Sequence, residues 1–261
     1  MMRMTNTELE ILCHIAEVAG QEIMAVYREG GEIWQKDDAS PLTEADLRAD
    51  RVIRQGLEKH FPGVFILSEE SVSAGPQDDG RFFLVDPLDG TKEFLKRNGE
   101  FTVNIALVED GVPVVGVVLA PALNELFYAA RGLGAWKRDA EGIRDITTGK
   151  IESAAPLRVI GSRAHGAEQL NAWLATLKTE HSFVRAGSSL KFCRIAEGQA
   201  DIYPRFGPTS QWDTAAAQAV LEVAGGAVTD LQSAPLRYGS DHPLLNPPFV
   251  AVANRALLQL I

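Results

Sequence analysis

The chain has 261 residues, 46% of them hydrophobic and 23% charged, and a formal net charge of −10. At about 150 residues per domain it makes one large domain or two small ones, long enough to bury a core without disulfide or zinc staples. This composition excludes a disordered or collagen-like chain, and the acidic balance argues against a broad basic surface for nucleic acid.

Thr7 and Glu10 have capping-box spacing. Leu9, Leu12, Ile15, Ala16, Ala19, Ile23 and Val26 then recur at helical spacing until Gly30-Gly31 stops the run. Residues 32–41 are polar and read as a loop. Thr43 and Asp46 form a second capping box, opening a helix that ends near His60, before Pro62-Gly63. The apolar runs 64–67 and 82–85 read as buried strands, each ending at acidic residues. Runs 102–108, 112–119 and 125–130, separated by Asp110-Gly111 and Pro121-Ala122, predict an antiparallel meander. Residues 137–156 are turn-rich and read as a boundary between an N-terminal α+β half, 1–155, and a C-terminal α/β half, 156–261. In the second half, strands at 157–160, near Phe183, at 201–203, at 227–229 and at 249–252 alternate with helices at 168–177, 189–197 and 212–224.

Cys13 and Cys193 form no CxxC pair and read as reduced thiols of a cytoplasmic protein. The N-terminus has no signal-peptide pattern, and the apolar run 112–126, broken by Gly116 and Pro121, is too short to span a bilayer. Peripheral membrane association and homodimer formation stay open at this level.

The chemistry centres on Asp86-Pro87-Leu88-Asp89-Gly90-Thr91, which follows an apolar strand. Two carboxylates three residues apart at a strand end can converge on one point. Gly90 allows close backbone approach, and Thr91 sits where a helix can begin and its amides can meet an anion. Read alone, the segment is equally a turn. Glu69-Glu70-Ser71 follows the preceding strand, so adjacent strand ends would set Glu69 beside Asp86, a repulsive arrangement unless a cation neutralises it. Thr43 to Asp46 and Trp212-Asp213, read alone, are helix caps. Together Glu69, Asp86, Asp89 and Asp213 offer oxygen-only ligands, which select Mg²⁺ or Mn²⁺, and two such ions can clamp a phosphate and activate water.

In this order the motifs D-P-[IL]-D-G-T, E-E-S and W-D-x-A-A with a later A-G-G resemble the lithium-sensitive, Mg²⁺-dependent phosphomonoesterases, the inositol monophosphatases and fructose 1,6-bisphosphatases. Ser40 to Asp46 (SPLTEAD), TKEF at 91–94 with NGEFTVN at 98–104, and GSSLKFC at 187–193 with AEG at 196–198 and YPR at 203–205 are similar to the CysQ-type branch, the 3′(2′),5′-bisphosphate nucleotidases. Inositol monophosphatases tend to carry T-T-N-F where this chain has TKEF.

The resemblance implies a layered αβαβα sandwich, combining α+β and α/β halves, with its site between them. It implies that Glu69, Asp86 and the Leu88 carbonyl hold one Mg²⁺, that Asp86, Asp89 and Asp213 hold a second, and that a third, weaker ion sits near Glu69. Thr91 with Asp46 would orient or deprotonate the attacking water. The substrate would meet Glu69, Leu88, Asp89, Gly90, Thr91 and Asp213 at the reacting phosphate, and His165, Ser188, Lys191 and Arg205 at the nucleotide and its second phosphate. The implied reaction is hydrolysis of adenosine 3′,5′-bisphosphate to AMP in sulfur assimilation, with 3′-phosphoadenosine 5′-phosphosulfate as a further substrate. Inositol monophosphate hydrolysis is the enzymatic alternative, and a metal- or phosphate-binding regulator on the same fold is the non-enzymatic one.

Overall fold

Helix α1 (Asn6–Glu29) opens the described chain, capped by Thr5: its hydroxyl accepts the Glu8 N–H at 3.2 Å, and the Glu8 carboxylate accepts the Thr5 N–H at 2.8 Å. The capping box therefore lies two residues before the expected Thr7/Glu10. The T-x-x-E spacing occurs at both places, and the earlier start adds backbone bonds such as Leu9 N–H to the Thr5 carbonyl at 3.0 Å. The computed structural model describes residues 4–36, 41–71, 80–149, 155–161, 167–177, 179–239 and 241–260.

The expected loop at 32–41 instead contributes a small antiparallel ribbon, β1 (Ile33–Gln35) on β2 (Pro41–Thr43), with Ile33 opposite Thr43. Helix α2 (Glu44–His60) follows with the predicted Thr43/Asp46 box. Then come β3 (Phe65–Ser68), a 3-10 turn (Glu69–Ser71), β4 (Arg81–Asp89) and the short α3 (Thr91–Leu95). The meander is β5 (Thr102–Glu109), β6 (Val112–Ala120) and β7 (Glu125–Ala130), and it continues into β8 (Gly134–Asp139) and β9 (Gly142–Asp145). Strands β3 to β9 form one seven-stranded sheet in chain order, parallel between β3 and β4 and antiparallel elsewhere. The turn-rich stretch expected at 137–156 thus begins with a hairpin. The polar look of β8 comes from Lys137, which is only 3% exposed and sits in an ion network rather than in solvent.

The second half runs β10 (Leu157–Gly161), α4 (Ala167–Leu174), β11 (His181–Arg185), α5 (Leu190–Ala196), β12 (Ile202–Arg205), α6 (Ala215–Val223), β13 (Ala227–Asp230) and β14 (Phe249–Val252). Its sheet has the order β11-β10-β12-β14-β13. Helix α6 starts three residues later than expected, because Trp212 and Asp213 belong to a turn and Thr214 is the N-cap. Helix α4 ends at Leu174 rather than 177, where Ala175 N–H closes on the Asn171 carbonyl and the chain turns.

Three apolar clusters define five layers. One packs α1 and α2 on the seven-stranded sheet through Leu12, Ile23, Ile53, Phe83 and Ile105. The next joins the other face of that sheet to α5, α6 and the second sheet through Phe127, Phe192, Val220 and Phe249, across the expected boundary near 155. The third covers the outer face of the second sheet with Trp173 and Leu174 of α4. This is the expected αβαβα sandwich. Among the described residues no helix is long and apolar enough to cross a membrane, and Cys13 and Cys193 are both buried and unbridged.

Candidate active site

The site begins with strand register. Ser68 of β3 pairs with Val85 of β4 in parallel, so Glu69 and Asp86 leave the paired region side by side. Beyond that point Asp86 faces Asn104 and Asp89 faces Thr102 on β5, so Pro87 and Leu88 oppose a single residue. This one-residue bulge falls where proline has no N–H to give the ladder, and it spreads the two aspartates along the strand. The Leu88 N–H donates to Asp86 Oδ1 at 3.0 Å and fixes the turn. Gly90 then takes a left-handed φ of 91°, and a Cβ there would lie 3.2 Å from the Glu100 carbonyl oxygen. Asp213 arrives from the second half in the turn before α6, where its Oδ2 accepts the Ser210 N–H at 2.8 Å.

The result is convergence. Ligand oxygens of Glu69, Asp86 and Asp213 all lie within 4.8 Å of one another. Asp89 joins them through its charge, and its Oδ2 accepts the Ser189 N–H at 2.5 Å. Burial, then repulsion from Glu69, Asp89 and Asp213, pushes Asp86 well above the usual carboxylate range. Burial, then Asp89, pushes Asp213 up to about 8. Burial raises Asp89 to about 6 against the pull of Lys191 and of the Ser189 amide. Such a cluster needs positive charge to stay ionised at neutral pH.

Part of that charge is supplied by Lys36, which the sequence reading missed. Its ammonium lies 2.8 Å from Glu69 and 2.6 Å from Glu70. Three clustered carboxylates, Asp86 buried and Glu69 and Asp213 half-buried, without Cys or His among them, fit a hard divalent cation such as Mg²⁺.

A cavity of about 350 Å³ holds the cluster. Its wall includes Glu69, Asp86, Leu88, Asp89, Gly90, Thr91 and Asp213, together with Ser188, Lys191 and Arg205. The Thr91 hydroxyl donates to the Leu88 carbonyl at 3.4 Å. Asp46 does not reach the wall: its Oδ2 accepts the N–H and hydroxyl of Thr43, and burial raises it to about 6. It still acts on Glu69 and Asp86 through charge. The Lys191 ammonium is buried beneath Tyr203, 5.3 Å from the ring centroid, and donates to the Ser188 carbonyl at 2.5 Å. Burial lowers it to about 8. Arg205 donates to the Gly207 and Pro208 carbonyls at 3.1 and 2.8 Å, which tethers its guanidinium at the cavity wall. His165 and Ser40 lie outside the described residues. Thr102 and Ser189 fall inside the NGEFTVN and GSSLKFC stretches with no role assigned to them, and Leu245 lies in no motif, since a strand threonine, a serine ahead of a helix and a loop leucine carry no spacing signal of their own.

Comparison with known proteins gives a consistent answer. The model of the inositol monophosphatase family matches residues 5–260. The 3′(2′),5′-bisphosphate nucleotidase CysQ of Salmonella typhimurium is 50% identical over 246 residues, covering 92% of this chain and 98% of that protein. CysQ of Escherichia coli K12 is 48% identical with the same coverage. Among solved structures, CysQ from Bacteroides thetaiotaomicron superposes with a TM-score of 0.82 at 37% identity, over 95% of this chain and 98% of that one. An inositol monophosphatase from Anabaena superposes at 0.79 with 29% identity, over 97% and 93%.

Proposed function

The chain belongs to the inositol monophosphatase family, and on that premise we propose that it is a Mg²⁺-dependent 3′(2′),5′-bisphosphate nucleotidase. It hydrolyses adenosine 3′,5′-bisphosphate to AMP and phosphate in the cytoplasm, in the service of sulfur assimilation, and takes 3′-phosphoadenosine 5′-phosphosulfate as a second substrate. The observation that carries this reading is the meeting, in one cavity, of a carboxylate cluster with two cations, Lys191 and Arg205. A substrate with one phosphate needs only the cluster. A substrate with two has work for the cations as well. This speaks against inositol 1-phosphate as the preferred ester, in line with the nucleotidase names of the relatives.

In this proposal the half 1–155 supplies Glu69, Asp86, the Leu88 carbonyl and Asp89, and the half 156–261 supplies Asp213 and the anchors. Glu69, Asp86 and the Leu88 carbonyl would hold one Mg²⁺, Asp86, Asp89 and Asp213 would hold a second, and Glu69 would help to hold a third, weaker one. Bound there, Mg²⁺ supplies Lewis acidity to the attacking water and to the phosphate oxygens, and Mn²⁺ serves as a substitute. The amides around Gly90 and Thr91 receive the phosphate being cleaved. Thr91 orients the water, and the water's proton passes to the Thr91 hydroxyl as that hydroxyl gives its own toward Asp46, which acts from behind the cavity wall rather than on the water itself. A carboxyl lifted to about 6 is a better-matched base near neutral pH than an ordinary aspartate. The new P–O bond forms to water as the bond to the ribose oxygen breaks, and that oxygen takes a proton from a solvent water in the cavity. Ser188, Lys191, Arg205 and His165 hold the nucleotide and its second phosphate.

Phosphate release from adenosine 3′,5′-bisphosphate with Mg²⁺ and with chelator tests the proposal. Turnover that needs Mg²⁺ and stops with chelator supports it. Turnover indifferent to chelator contradicts it.

A further inference from the structure

Asp89 is held differently from the other carboxylates. Its Oδ2 accepts the Ser189 N–H at 2.5 Å and lies 3.4 Å from the Thr102 hydroxyl. The Ser189 hydroxyl donates to Asn104 Oδ1 at 2.8 Å. With its one proton spent there, it is the acceptor toward Thr102 Oγ1, also 2.8 Å away. Thr102, Asn104 and Ser189 are 0%, 1% and 2% exposed, and none of them lines the cavity. On β5, Thr102 stands opposite Asp89 and Asn104 opposite Asp86, so each aspartate of the bulge has one buried polar neighbour across the strand.

Two features set this network apart from ordinary core satisfaction. Asn104 Nδ2 is buried and has no hydrogen-bond partner among the described residues, a costly state for a core amide. It stands beside the carboxylate cluster, where acceptor oxygens are concentrated. Ser188, the residue before Ser189, takes a left-handed φ of 46°. A non-glycine residue in that region carries strain, and such strain gathers at functional sites. Here it presents the Ser189 N–H to Asp89.

We infer that Thr102, Ser189 and Asn104 form a positioning relay that fixes Asp89 for cation binding. The Ser189 N–H fastens Oδ2, and Thr102, whose hydroxyl proton goes to Ser189 Oγ, holds Ser189 against it, which leaves the other carboxylate oxygen for the ion. Asn104 orients Ser189 and keeps a donor in reserve beside Asp86. Ser189 lies in the second half of the chain, two residues before Lys191. The relay therefore ties the ion site on β4 to the segment that carries the phosphate anchor. The inference rests on Asp89 being a metal ligand, the reading proposed above. Partners of this kind, one bond removed from the ion, typically alter metal affinity by about 10–100-fold when lost.

The test is Mn²⁺ binding to the intact protein without substrate, followed by the paramagnetic resonance signal of free Mn²⁺ and by the metal-induced rise in melting temperature. Ser189→Ala removes the relay hydroxyl and keeps the amide; Thr102→Val removes the other hydroxyl at constant shape. Both are expected to bind Mn²⁺ about tenfold more weakly than the unaltered protein, with the metal-free melting temperature little changed. Half-saturating Mg²⁺ for turnover should rise by the same factor, while KM at saturating Mg²⁺ stays within about twofold. Thr102→Ser, which keeps the hydroxyl, should recover tight binding. Should Thr102→Val unfold, Ser189→Ala carries the same expectation. Mn²⁺ affinity within twofold of the unaltered protein in both hydroxyl-deleted variants, or Thr102→Ser binding as weakly as Thr102→Val, overturns the relay. Failure of the unaltered protein to bind Mn²⁺ overturns instead the reading of Asp89 as a ligand.

Discussion

Ser68 and Val85 are the last paired residues of two parallel strands, and the residue after each is a carboxylate. Glu69 and Asp86 are thereby forced together by sheet geometry, and in the ion-free protein their repulsion is a cost of folding.

Asp86→Asn removes one of the repelling charges. Its side-chain oxygen can still accept the Leu88 N–H that fixes the turn. The expected outcome is a chelator-treated protein that melts no lower than the unaltered one, with turnover reduced at least about a thousandfold, the scale of a lost electrostatic contact at a reacting centre. Melting curves in chelator and single-turnover rates in Mg²⁺ check both halves. A clear loss of stability would show the aspartate to be structural.

Lys191 has a folded-state pKa of about 8, below its ordinary 10.5, chiefly because it is buried. Between those values the unfolded chain binds the extra proton, so its burial penalty is full below pH 8 and stability rises with pH from about 8 to 10.5. Substrate binding has the opposite dependence, since a phosphate needs the ammonium. KM for the bisphosphate should rise as pH climbs above about 8. Lys191→Met should raise KM about tenfold at pH 7.5, abolish that rise, and melt higher than the unaltered protein at pH 7.5. A KM–pH profile identical in Lys191→Met and the unaltered protein would remove Lys191 from substrate binding.

Lys137 reaches Glu125 at 2.5 Å and Glu197 at 2.8 Å, and Arg194 reaches the same two carboxylates at 2.5 Å each. This buried network clamps β7 and β8 to α5. Removing one partner of such a network leaves charge uncompensated, at a cost of about 3 kcal/mol. Lys137→Ala should lose that much in denaturant unfolding while keeping kcat within twofold. Lys137→Ala with Glu197→Ala should lose less than the sum of the two single changes.

Leu245 is 59% exposed yet lines the cavity that holds Arg205. It is not there through slackness of the loop: Gln211 N–H bonds the Leu244 carbonyl at 2.8 Å, and Asn246 Nδ2 bonds the Ser210 carbonyl at 2.7 Å. An exposed leucine held this firmly suits the flat apolar face of a nucleobase. Covering its exposed area is worth about 1 kcal/mol. Leu245→Ser should therefore raise KM for the nucleotide about fivefold and leave an ester without a base unaffected, as paired kinetics on the two substrates will show. Equal effects on both would assign Leu245 to general architecture.

The sequence carried the site further than it carried the fold around it. Glu69, Asp86, Asp89 and Asp213 announce themselves because carboxylates at strand and turn ends have few other uses in that number. The β1–β2 ribbon is invisible because Ile33 and Trp34 are exposed, so no burial alternates along it. Strand β8 was hidden because its inward position is Lys137, a residue that reads as solvent-facing until its partners on α5 are known. Lys36 and Ser189 are the corresponding gaps in the site. Each acts through a long-range contact, Lys36 with Glu69 and Ser189 with Asp89, that only the folded chain creates.

The central claim is tested most directly by measuring kcat/KM for adenosine 3′,5′-bisphosphate and inositol 1-phosphate side by side, in Mg²⁺ and in Mg²⁺ with lithium. The account predicts at least about a hundredfold preference for the bisphosphate, suppressed by lithium. Equal or reversed preference would leave the carboxylate site standing and contradict the assignment of Lys191 and Arg205 to a second phosphate.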